Sequence, residues 1–94
     1  MNDKKREKVL QDAIDTWGTD AQLDMTTEET GELLAELGRY WRGRSDEEDL
    51  AEEVADVRIM LDQLALMLDG RVEEWEEKKM ERLEDRLEGS NDHD

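Results

Sequence analysis

The sequence predicts an all-α fold: a helical bundle of about four helices whose core is completed by homodimerisation. Three observations predict it. The chain has six Gly, no Pro and no Phe, and 45% of it is charged, a composition that suits helices. Apolar residues recur in steps of three and four, the period of one helix face. Its 94 residues make one domain with a modest core, so a partner subunit is expected from size alone.

The first helix is expected from Asp3 to Asp15, with Val9, Leu10, Ala13 and Ile14 as its stripe and Gly18 as its stop. Thr19 and Gln22 have capping-box spacing and open a second helix that reaches Tyr40 or Trp41. Gly43-Arg44-Ser45 breaks the chain, and Ser45 with Glu48 forms a second capping box. The third helix is read from Leu50, Val54, Val57, Leu61, Leu64 and Leu68, and Asp69-Gly70 ends it. The fourth runs from about Val72 to Leu87, with Val72, Trp75, Met80, Leu83 and Leu87 among many charges; Trp75 is assigned to packing. Residues 1–88 are one helical domain, and residues 89–94 are an acidic tail expected to be disordered.

The second and third helices are long and joined by a short loop, which makes them antiparallel neighbours. Ile59, Met60, Leu66 and Met67 widen the apolar face of the third, and a helix greasy that far round is covered on more than one side. A second copy would supply the cover, as a homodimer or a dimer of dimers. In the alternative, a monomer, the first and fourth helices supply it.

The formal charge is −16, from 29 acids against 13 bases. That excludes nonspecific nucleic-acid binding, which needs a basic face. Self-repulsion on this scale is tolerated where salt screens it, and the expectation is a halophilic source. There is no Cys, hence no disulfide or thiolate metal site. No apolar run is long enough to span a membrane. The basic start, Met1 to Arg6, has no apolar stretch behind it, so no signal peptide is expected and the cytoplasm is the expected location.

Some of the acids break the helical pattern. At about 100° per residue, Glu53 and Asp56 share a sector with Met60, Leu64 and Met67. On the second helix Gln22, Met25, Glu29, Leu33 and Tyr40 share a sector, flanked by Glu32 and Glu36. Glu29-x-x-Glu32 and Glu53-x-x-Asp56 each set two carboxylates on one side of a turn. Two such pairs on facing helices can surround a small volume with hard oxygens, which select Mg²⁺, Mn²⁺ or Ca²⁺. The same acids could form a solvated or ion-paired face. A di-iron bundle would want a Glu-x-x-His pair, and His93 is the one His.

Glu28-Glu29-x-x-Glu32, a gap spanning a loop, and Glu53-x-x-Asp56 together resemble the signature of the MazG-like, all-α nucleoside triphosphate pyrophosphohydrolases, in their short single-domain branch. The likeness extends to Trp17-Gly18, Ala21 to Met25, the Arg42-Gly43 turn, Glu52 to Leu64 and Lys79 to Leu83, over about residues 10 to 87. It implies Mg²⁺-dependent hydrolysis of a (d)NTP to the monophosphate and pyrophosphate, with Mn²⁺ as a substitute. The implied metal ligands are Glu29, Glu32, Glu53 and Asp56. Glu28 and Glu52 are candidates for the general base. Lys79 and Arg82, then Arg42 with Arg39 and Arg44, are candidates for the phosphates. Trp17, Tyr40 and Trp41 are candidates for stacking on the base, although such rings also anchor helix ends. The rival readings are a non-catalytic acidic interaction module and a nucleotide sensor.

Overall fold

The computed structural model describes residues 1–91. Four α-helices account for nearly all of them: α1 (Asp3–Trp17), α2 (Thr19–Trp41), α3 (Glu47–Met67) and α4 (Arg71–Asn91). No strand occurs among the described residues, and none of their helices is long and apolar enough to cross a membrane.

The helix boundaries differ from the sequence reading where caps are concerned. Asn2 caps α1, its side chain accepting from the Lys5 N–H at 2.8 Å. The expected Thr19–Gln22 capping box is not formed. Gly18, at φ 91°, is both the C-cap of α1 and the N-cap of α2. Thr19 therefore already lies inside α2, with no side-chain cap before it. The second expected capping box fails too. Asp46, one residue beyond Ser45, is the N-cap of α3 and accepts from the Asp49 N–H at 2.9 Å. Asp69 and Gly70, at φ 48° and 80°, make the expected turn after α3; Asp and Gly tolerate this left-handed region best. α4 runs past the expected end at Leu87, through Gly89 and Ser90 to Asn91. The helix thus enters the stretch expected to be a tail, of which Asp92, His93 and Asp94 lie outside the described residues.

α2 and α3 form the main contact, and α1 lies on both. Ser45 bonds Glu36 near the loop, while Glu29 meets Glu53 and Asp56 further along. The chain therefore doubles back and the two helices are antiparallel. Leu10, Ile14, Val57 and Met60 form the small buried core, and Arg6 ties α1 to α3 through Asp62 at 2.6 Å. On α2 the packed line is Gln22, Thr26, Glu29, Leu33 and Glu36; Met25 and Tyr40, expected on it, are exposed. On α3 the packed face centres on Val57, Met60 and Gln63, whereas Val54, Leu61 and Leu68 lie off it and stay exposed.

α4 touches α3 alone and has no fully buried residue among those described. Trp75, assigned to packing, is 54% exposed beneath the Lys78 ammonium, 5.0 Å from the ring centre. Both α1 and α4 meet α3, α1 at the buried core and α4 only at its edge. The chain's radius of gyration is 16.8 Å, against roughly 12 Å for a compact domain of this length.

Candidate metal centre

The centre is built where α2 and α3 face each other. The 4-3-4-3 spacing of Gln22, Thr26, Glu29, Leu33 and Glu36 keeps one line of α2 against α3. That line brings Glu29 to the height of Glu53 and Asp56. One carboxylate oxygen from each of the three lies within 4.8 Å of the others, and all three side chains are half-buried. Oxygens on opposite sides of Mg²⁺ stand about 4.2 Å apart, so small rotamer adjustments would close the trio round an ion.

The electrostatics are unfavourable as they stand. Glu29 Oε2 and Glu53 Oε2 are buried and receive no hydrogen bond. Burial, more than any single neighbour, pushes both carboxyls above the ordinary carboxylate range. The charges of Glu32 and Asp56 add to each; Glu53 and Glu28 further raise Glu29, and Glu52 and Glu36 further raise Glu53. Hard oxygens that lack any donor are what a hard divalent cation would satisfy. A hard divalent cation fits this donor set, with Glu29, Glu53 and Asp56 as the residues that would hold it.

Glu32, the fourth expected ligand, is exposed and outside the trio, although its charge acts on both buried acids. Glu28 and Glu52 are exposed neighbours at the rim. The other expected groups are not gathered here. Trp17 closes α1 and is 67% exposed, while Tyr40 and Trp41 close α2, with Trp41 89% exposed. The 23 residues of α2 separate these ends by about 34 Å, so one chain does not bring all three rings to one base. Arg42 folds back over Gly38, its guanidinium 3.3 Å from where a Cβ would stand. Lys79 and Arg82 lie on α4, which makes no packing contact with α2. No ion pair among the described residues engages Arg42, Lys79 or Arg82.

One buried polar contact beside the candidate centre escaped the sequence reading. Glu36, buried at the far end of the same line, accepts from Arg39 Nε at 3.1 Å and Nη2 at 2.6 Å, and from the Ser45 hydroxyl. The Ser45 and Arg39 bonds hold its carboxyl below the ordinary range. The signal was its spacing, one heptad after Glu29, with a cation three residues on. Gln63 Oε1 is a third buried oxygen without a donor, but two turns along α3 from Asp56 is about 10 Å, too far to share an ion with the trio.

Compared with family models, with curated proteins and with solved structures, the chain matches none.

Proposed function

We propose that this protein is a Mg²⁺-dependent nucleoside triphosphate pyrophosphohydrolase that converts (d)NTP and water to (d)NMP and pyrophosphate. The observation that carries the reading is the pair of donorless buried oxygens on Glu29 and Glu53, converging with Asp56. A solvated or ion-paired acidic face would leave its oxygens in water or paired with cations. The resemblance of the acid spacing to the MazG-like enzymes supports the same conclusion.

In this reading Glu29, Glu53 and Asp56 would hold the ion, and Glu32, exposed beside them, would be the fourth ligand. When bound, the ion would supply Lewis acidity and make the attacking water easier to deprotonate. Water adds to the α-phosphorus, the bond from that phosphorus to the bridging oxygen breaks, and pyrophosphate leaves with the electron pair. Glu28 or Glu52, exposed beside the ligands, takes the proton lost by the water. Arg42, Lys79 and Arg82 have no ion pair among the described residues and are the cations offered to the phosphates. For the base, either Trp17 or the Tyr40–Trp41 pair offers a stacking face, since α2 holds the two ends apart.

The test is incubation with NTPs, dNTPs and damaged analogues plus Mg²⁺ or Mn²⁺ in high salt. The expected products are nucleoside monophosphate and pyrophosphate in equal amounts, with Glu29→Gln and Glu53→Gln lowering turnover by about 100-fold or more, as loss of metal-held water activation would. No product from any nucleotide removes the enzyme. Stabilisation by nucleotide plus Mg²⁺ without product assigns a sensor instead.

A further inference from the structure

The α2–α3 seam is satisfied at one end and unsatisfied at the other. Toward the α2–α3 loop, Glu36 accepts from Arg39 and Ser45, so that end is closed by its own polar contacts. In the opposite direction the seam carries two buried amides, Gln22 and Gln63, at 6% and 5% exposure. Each stands one heptad from a member of the acid trio, Gln22 from Glu29 and Gln63 from Asp56, which is about 10 Å along either helix. Because α2 and α3 run antiparallel, both steps lead to the same end of the seam, where Trp17 closes α1 beside the start of α2. Gln63 Oε1 is buried there without a donor, a state that protein interiors rarely leave uncompensated.

We propose that the nucleotide lies along this seam with its phosphates at the acid trio and its base at the Trp17 end, where Gln63 Oε1 accepts from an amino group on the pairing edge of the base. The favoured substrates are therefore cytosine and adenine nucleotides, over uracil and thymine nucleotides. The inference rests on the pyrophosphohydrolase reading and adds to it the direction of the nucleotide and the class of base.

Reach, charge and hydrogen bonding agree on this. Two helical turns match the span from the α-phosphate to the pairing edge of an extended nucleotide. The negative field of the trio turns the N–H end of the Gln63 amide toward itself and the carbonyl away from it, toward the base. Uracil and thymine would set a carbonyl against that oxygen, acceptor against acceptor, whereas an amino group supplies the missing donor. A site built to hydrogen-bond one group discriminates strongly against a partner that lacks it. Trp17, 67% exposed, offers a stacking face that serves a pyrimidine or a purine. α1 reaches α2 through Gly18 alone, at φ 91°, so its last turn can lift off the amide to admit the base without breaking α2.

The experiment is isothermal titration in molar KCl with Mg²⁺, using the α,β-imido analogues of dCTP, dATP, dUTP and dTTP, which resist cleavage. The dCTP and dATP analogues are expected to bind about tenfold more tightly than the other two, the worth of one buried hydrogen bond. Gln63→Met keeps the length of the side chain and removes the amide, and is expected to bring the four affinities together. An amide with only a structural role would shift all four alike and keep their ratio. Trp17→Ala is expected to weaken all four by about tenfold with the ratio retained, a larger loss than Trp41→Ala gives. Circular dichroism checks that each variant folds; if Gln63→Met does not, the wild-type ratio and the two tryptophan variants still decide. Equal affinities in the wild type, a ratio that survives in folded Gln63→Met, or a larger loss from Trp41→Ala each overturn this inference and leave the hydrolase standing. Failure of all four analogues to bind removes the nucleotide reading, and this inference with it.

Discussion

Glu29 and Glu53 set the chemistry at the residue scale. Both carboxyls are raised above their ordinary values, so the folded chain holds their protons more readily than the unfolded chain does. Whatever stability they favour is present below the ordinary carboxylate range and is lost as pH rises through their raised folded values. Glu36 is lowered and works the opposite way: its contribution is present above the ordinary range and lost as pH falls through its lowered value. Calorimetry of the metal-free protein in high salt should therefore show Tm rising as pH drops from neutral toward the ordinary carboxylate range, then falling below it. Glu53→Gln should raise the metal-free Tm at neutral pH and flatten the first limb. A lower Tm for that variant would mean that the acid is not strained. Mg²⁺ or Mn²⁺ at a hundredfold excess over Kd should stabilise the wild type by roughly 2.7 kcal/mol and leave Glu53→Gln largely unmoved, as thermal shifts would read.

At the scale of elements, the α2–α3 connection decides how the seam is aligned. Asp46 starts α3 by capping the Asp49 N–H, and Ser45 holds the loop to α2 through Glu36. Asp46→Ala should cost about 1 kcal/mol in denaturant unfolding, the usual loss of an N-cap. Ser45→Ala should lower Tm by about 5 °C, the shift expected from one lost hydrogen bond in a domain of this size, while Ser45→Thr, which keeps the hydroxyl, restores it. The capping-box pattern assigned both caps to the wrong residue because it tests residue types and spacing only. It does not register that Gly18 serves two helices or that Ser45 is drawn to a buried carboxylate on another helix. The helices themselves were legible, because their apolar periodicity and glycine breaks are local.

At the scale of the whole molecule, the core is thin and α4 packs on α3 alone, which is where the expected second copy would add stability. Leu61 and Leu68 belong to the apolar stripe of α3, and Trp75, Met80, Leu83 and Leu87 to that of α4, yet all six are exposed. Periodicity shows that a face is apolar without showing what covers it. Stability should accordingly depend on protein concentration, with Tm rising on concentration and the dependence vanishing in Trp75→Glu with Leu83→Glu. A concentration-independent wild type would count against the second copy.

The sequence by itself determined four helices, the antiparallel placing of α2 and α3, and that acids interrupt the apolar pattern of both. Each of these follows from spacing within a helix or from the length of a single loop. Only the tertiary structure decided which acids converge. Glu29, Glu53 and Asp56 come together while Glu32 stays in water, because the packed line of α2 runs through Gln22, Glu29 and Glu36 and so turns Glu32 outward. The engagement of Glu36 with Arg39 and Ser45 was likewise decided by packing. Rotation of one helix against another is set by the side chains of both, and no spacing along one of them encodes it.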